Sequence, residues 1–263
     1  MSQQHGPPNR WEASPPLLEK LRVVLDRRDA DPESDPLVQH WPVVTQSGIS
    51  ADAGLGVKLR SRNPHAPCPP GEVVALYPGA TRLHAPVMID AWGEPEVVTL
   101  PPLGVTEMGA RYCVNTHFFS IDGAPELAQR TFGGLSTAAM RWACGHRINH
   151  PPRTMPLVNV VPVPAHVALL STETHVRMNF PDVIPSTIFV TDDTLPWVPN
   201  YWAADWLFEM VADGYRAPRP KHAPIPVLMM VTSTEVSSGQ ELFFDYRLGR
   251  AATRQFPWYH HIA

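Results

Sequence analysis

The sequence predicts a mainly β domain with few, short helices, on three observations. Its periodic segments are brief and strand-sized, as in LGVKLR (55–60), EVVALY (72–77) and VLMMVTS (227–233). Its 31 prolines cluster in 7–16, 64–70, 95–102, 151–164 and 218–226. Each proline removes a backbone donor and fixes φ, so these clusters are expected outside helix interiors and central strands. Helical spacing, the third observation, is confined to a few stretches.

In order along the chain, residues 1–13 read as disordered. SPPLLEKLRVVLDRR (14–28) opens with a cap-like Ser14 and two prolines, then spaces Leu17, Leu21 and Val24/Leu25 as one amphipathic helix. An acidic linker, DADPESDP, follows. These form an N-terminal extension over 1–44, with the helix expected to pack on the main domain, which spans 45–250. Strands are expected at 55–60, 72–77, PVMID (86–90) and YCVNTHFFSID (112–122), the last read as one strand ending at an Asp122-Gly123 turn. STAAMRWACGH (136–146) reads as a helix capped by Ser136, with Ala139, Trp142 and Ala143 on one face. LVNVVPV (157–163) and HVALL (166–170) are two further strands. NYWAADWLFEMV (200–211) reads as a core helix with Trp202, Trp206 and Met210 on one stripe. VLMMVTS and ELFFDY (241–246) close the domain. No repeat is visible.

Composition excludes several classes. A formal net charge of −4 runs against a general binder of nucleic acid or acidic membranes. No apolar run approaches the roughly eighteen residues a membrane span needs. Cys68, Cys113 and Cys144 are widely spaced and form no CxxC pair, so neither a disulfide framework nor a cysteine zinc site is expected, and no metal is assigned. The N-terminus lacks a signal-like apolar core. An intracellular location follows, cytoplasm or nucleus, with the mitochondrion left open.

Gly54-Leu55-Gly56 lacks the third glycine and the following helix of a dinucleotide fingerprint. FGGLS (132–136) places Ser136 beside paired glycines, but no GxSxG elbow exists, so a serine hydrolase is a minor alternative. The 12 histidines include no HExxH arrangement.

Four pieces in order, GLGVKLRSR, GEVVALYPG, RINH with Asn159-Val160 after it, and GQELFFDY, resemble the SET domain of protein lysine methyltransferases. The YPG variant and the SIDG turn look most like the subgroup of SET domain-containing protein 9. The resemblance covers about residues 50–250. It implies a β-clip architecture of several small sheets with a knot-like C-terminal threading, variable inserts near 80–135 and 165–220, and an aromatic tail over 251–263.

The resemblance also implies S-adenosylmethionine as cofactor and a protein or peptide substrate presenting a lysine, with no nucleic acid or membrane partner. The Gly54, Leu55 and Gly56 backbone would approach the cofactor. Asn149 would bond its amino-acid end and His150 its adenine edge, with Arg147 pinning the turn beside them. Trp258, or Phe256 or Tyr259, would cover the adenine.

Tyr246 takes the place of the family's active-site tyrosine, and Tyr77 would line the lysine channel. Glu241 and Asp245 would tie the closing strand to its neighbours. Phe244 occupies a slot where the family carries Tyr or Phe. A Tyr hydroxyl there holds a water that crowds out further methyl groups, so Phe244 implies di- or trimethylation. Departures are equally plain: NHPPRTMPLVN replaces the usual NHSC…PN run, and no Glu follows Tyr77-Pro78-Gly79. These leave a catalytically degenerate SET module that binds a partner as the alternative.

Overall fold

The structure, a computed structural model, describes residues 13–27, 31–49, 54–83, 87–89, 95–97, 113–115, 119–123, 141–155, 157–195, 198–199 and 223–246. Helix α1 spans Pro15–Asp26, with both prolines in its first turn. Ser14 occupies the cap position, but its carbonyl, not its hydroxyl, serves the helix by accepting the Leu18 N–H. Pro16 has no N–H for the hydroxyl to cap. Leu17, Leu18, Leu21, Val24 and Leu25 are buried, so the helix packs on the domain as expected. Lys20 adds a bond to Gly71 O and an ion pair with Glu72.

Among the described residues the fold is mainly β, with short helices. Strands β1 (His40–Gln46) and β2 (Leu55–Ser61) form an antiparallel hairpin. The expected domain start near 45 falls inside β1. The central sheet contains β3 (Val73–Tyr77), β9 (Val160–Leu169), β10 (Thr187–Val190) and β11 (Ile225–Thr232), in the order β10-β9-β11-β3. Only β10 and β9 run parallel. A three-stranded sheet joins β4 (Ala80–Leu83), β7 (Cys113–Asn115) and β8 (Phe119–Asp122), and β5 (Val87–Ile89) pairs with β6 (Pro95–Val97). A 3-10 turn at Gly145–Arg147 and helix α2 (Glu173–Asn179) complete the inventory that bears on the site.

Strand β11 explains why the sheet is the core. Ile225, Val227, Met229 and Val231 enter one apolar cluster with α1, while Leu228 and Met230 enter a second cluster on the opposite face. This is the period-two alternation of a strand buried on both sides. A bulge between Met230 and Val231 lets Met230 pair with Ala75 and Val231 with Val73. Val74 is the extra residue, and the shift keeps Val73 with the α1-side cluster and Ala75 with the other.

Three expectations are corrected. The stretch 157–170 is not two strands, because β9 runs unbroken through Pro162 and Pro164, and β11 contains Pro226. Both are inner strands, contrary to the proline rule. The register gives the reason. Pro162, Pro164 and His166 (opposite Pro226) share one parity along β9. Their nitrogens face away from the β9–β11 seam, toward stretches that β10, pairing only with His166–Leu169, and β3, pairing only from Leu228, leave uncovered.

Residues 112–122 are likewise not one strand: β7 and β8 pair antiparallel, Cys113 opposite Asp122, so the chain reverses between them. The helix expected over 136–146 is absent from its described part, 141–146. Trp142 O accepts the Leu76 N–H at 2.6 Å, so a strand edge takes the backbone bond a helix would use. Residues 136–140, the Trp-rich helix at 200–211 and the 251–263 tail lie outside the described residues. Parts of the second expected insert, His166–Leu169 and Thr187–Val190, belong to the central sheet.

Candidate functional site

The segment Gly239–Tyr246 organises the site by changing partners along its length. Gly239 N–H donates to Leu59 O, Leu59 N–H to Gln240 O and Leu242 N–H to Val57 O, which zips its first half to β2. Phe244 N–H then donates to Asn149 O, while Phe243 O accepts the N–H groups of both Asn159 and Val160. The segment therefore lies between β2 and the Ile148–His150 turn. Asn159, fully buried, fixes it from a third side: Nδ2 donates to Glu241 O at 2.9 Å, and Oδ1 accepts the Phe243 N–H at 2.7 Å. The long NHPPRTMPLVN run still delivers this asparagine to the closing strand.

Glu241 is the polar centre. Its nearly buried carboxylate accepts the Ser47 hydroxyl (2.7 Å), the Gly48 N–H (2.8 Å) and the Asn149 amide (3.2 Å). The Asn149 amide also donates to Leu55 O at 3.3 Å. A buried carboxylate is tolerable only when its lone pairs are met, and here three donors meet them.

The two glycines have different reasons to be glycine. Gly54 has φ +70, a left-handed conformation, with open space where a Cβ would point. Gly56 is crowded: a Cβ there would run into the Glu241 carboxylate and lie 3.0 Å from the Asn149 amide. Gly56 therefore has an internal reason to be glycine, since the protein's own side chains already fill the space a Cβ would take.

Three aromatic residues meet as expected. Phe244 lies 4.7 Å from Tyr246 and 6.4 Å, edge-on, from Tyr77, by ring centroids. Tyr77 and Phe244 are buried and Tyr246 is half-buried. The Tyr246 hydroxyl donates to Ile148 O at 3.1 Å, joining the closing segment to the turn. Gly123 lets Tyr77 in, since a Cβ at 123 would sit 2.6 Å from the Tyr77 ring and 2.9 Å from His146 Cβ.

His150 packs against the closing segment. Its side chain is 1% exposed, tilted against the Tyr246 ring at 5.5 Å. Nδ1 faces the Tyr246 N–H at 3.5 Å and Asp245 Oδ1 at 3.8 Å. The ring is enclosed by the protein's own groups. Arg147 sits half-buried in the 3-10 turn, Asn149 is half-buried, and Leu55 is exposed at the start of β2. Trp258, Phe256, Tyr259 and Ser136 lie outside the described residues.

Sequence reasoning missed Ser47, Ile148 O and His146, and gave Asn159 no role. A single Asn inside the apolar run LVNVV was the available signal for the last. His146 carries a second: its Nδ1 is buried with no hydrogen-bond partner, and burial, then the Arg147 cation, push its pKa down to about 4. Cys144 beside it is buried, its thiol pushed up to about 12 by burial and so held protonated.

Neither a scan against protein-family models nor a search of curated proteins finds a match for this chain. Among the described residues, no helix is long and apolar enough to cross a membrane.

Proposed function

We propose that the chain is a SET-type protein lysine methyltransferase, with the β-clip and knot-like closing segment that such a domain has. One observation carries the reading. Motifs as distant as Gly54–Gly56, Tyr77, Asn149–His150 and Phe244–Tyr246 meet around a single segment that lies between β2 and the Ile148–His150 turn. Unrelated pieces of core have no reason to bring these four together in that arrangement.

Fit to S-adenosylmethionine is partial and rests on the main chain. The left-handed Gly54 with open space beside it and the half-buried Asn149 are suited to a ligand approaching the backbone. The enclosed His150 ring is not, which leaves its main chain for the adenine edge. When bound, the cofactor supplies an activated methyl group on a sulfonium sulfur. The chain's part is to present a neutral amine. A free lysine has a pKa of about 10.4, and an apolar aromatic wall disfavours its charged form by desolvation. Tyr77, Phe244 and Tyr246 form such a wall. The Tyr246 oxygen, held by its bond to Ile148 O, would orient the amine, and holding the reactants in line would supply most of the acceleration.

A second reading, the non-catalytic SET module, is favoured by the Asn149 amide already being satisfied by Leu55 O and Glu241. Calorimetric titration with S-adenosylmethionine separates the two. Binding by the wild-type chain, lost in Asn149→Ala, together with methyl transfer lost in Tyr246→Phe, supports the enzyme. A folded protein that binds no cofactor sinks it and leaves the module.

A further inference from the structure

His146 is the one buried side-chain polar group without a partner among the described residues: its Nδ1 has neither protein donor nor acceptor. Leaving such a group unpaired is costly, so native structures seldom keep one without a use. Its position suggests the use. The His146 Cβ and the Tyr77 ring both border Gly123, close enough that a single added methyl there would strike both. The His146 side chain thus starts beside the Tyr77 end of the aromatic cluster.

The geometry points to His146 as a substrate-contacting residue, its Nδ1 taking the N–H of an incoming primary amine at the wall formed by Tyr77. The choice of an amine rests on the lysine reading above. The orphaned nitrogen itself does not. A neutral imidazole can accept a hydrogen bond without placing a charge in an apolar cluster. Burial, followed by the Arg147 cation, holds it neutral at ordinary pH. The same two influences disfavour an ammonium and favour a neutral amine, the form that attacks a methyl group. No bond is made or broken at His146, and it need carry no proton away.

The test uses the full chain and a small probe, n-butylamine, which matches the end of a lysine side chain, with methyl propyl ether, of similar size but with no hydrogen-bond donor, as control. Nitrogen-15 imidazole spectra report on His146, its signal assigned by its loss in His146→Phe. The expected result is a saturable shift of that signal with n-butylamine and none with methyl propyl ether. His146→Phe should bind n-butylamine about tenfold more weakly, as loss of one hydrogen bond predicts, and should melt no lower than the wild type, because the orphan is removed. An unmoved signal at saturating amine, or equal amine affinity in His146→Phe, overturns the assignment and points to a trapped water. Calorimetry with S-adenosylmethionine on the same samples is scored separately, so failure of the methyltransferase reading does not obscure the answer at His146.

Discussion

The Glu241 carboxylate, carried by the closing segment, holds the Asn149 amide at 3.2 Å while taking the Ser47 hydroxyl and the Gly48 N–H with its two oxygens. Residues 92 positions apart are thereby fixed on one buried anion, and the N-terminal hairpin, the Asn149 turn and the last strand cannot shift independently. Glu241→Gln keeps the volume but replaces one acceptor oxygen with an amide that faces existing donors. The expected cost is about 2 kcal/mol of stability, read as a lower urea midpoint at unchanged slope. An unshifted midpoint would mean that the carboxylate does not tie these elements.

Gly54 and Gly56 separate conformational strain from crowding. Gly54→Ala should cost about 1–2 kcal/mol, the penalty for a side chain in the left-handed region, since nothing occupies the space beside it. Gly56→Ala should cost more, on the order of 3 kcal/mol, because the added methyl must displace Glu241 and so loosens Asn149 as well. Equal melting temperatures for the two variants would contradict the packing at Gly56.

Much of this arrangement was legible in the sequence, and what was not has physical causes. α1, β2, β3 and β11 follow from spacing and apolarity because each buries its own periodic face. The single strand β9 was hidden because whether Pro162 and Pro164 are tolerated depends on which neighbour covers each stretch, a property of the finished sheet. The absence of the expected helix at 141–146 has the same origin, for Trp142 O serves a strand distant in sequence. At the site, Tyr77, Phe244 and Tyr246 were named before they were seen to meet. The enclosure of the His150 ring depends on Asp245 and Tyr246, and no local pattern announces it.

Two histidines, His166 buried and His146 half-buried with its Nδ1 enclosed, set a pH window for stability. His146 and His166 are both pushed from the ordinary 6.5 down to about 4, chiefly by burial, and His166 sits deep in β9 against the Ser186 hydroxyl at 3.0 Å. Between pH 4 and 6.5 the unfolded chain binds these protons and the folded chain does not, so stability rises with pH across that window. It is fully present above 6.5 and lost progressively as pH falls toward 4, by up to about 3 kcal/mol per histidine. Asp31, held below its usual range first by the Arg141 hydrogen bond, and Asp35, first by the Leu37 N–H, act only at still lower pH. Urea midpoints at pH 7 and 4.5 should differ strongly in the wild type and less in His166→Gln. A flat wild-type profile would show that neither ring is held neutral.

Phe244 gives the prediction that bears most directly on chemistry. It lies buried between Tyr77 and Tyr246, and its ring edge is the only group of the three without a hydroxyl. In a methyl-transfer site, the space beside it is where an already methylated amine would turn to offer its lone pair again. Phe244→Tyr adds one oxygen there. With two tyrosines adjoining it, that hydroxyl can hold a water, and the water competes with the second methyl group for volume. On the proposed methyltransferase reading, the variant should then stop at the monomethyl product, where the wild type is expected to proceed to the di- or trimethyl state. Mass spectrometry of a methylated peptide resolves these states by whole methyl increments. The rate of the first transfer should change little, since discrimination worth one displaced water is roughly 0–2 kcal/mol and falls on the later steps. A wild-type protein that never passes the monomethyl stage would refute this assignment of Phe244 even if methyl transfer itself were demonstrated.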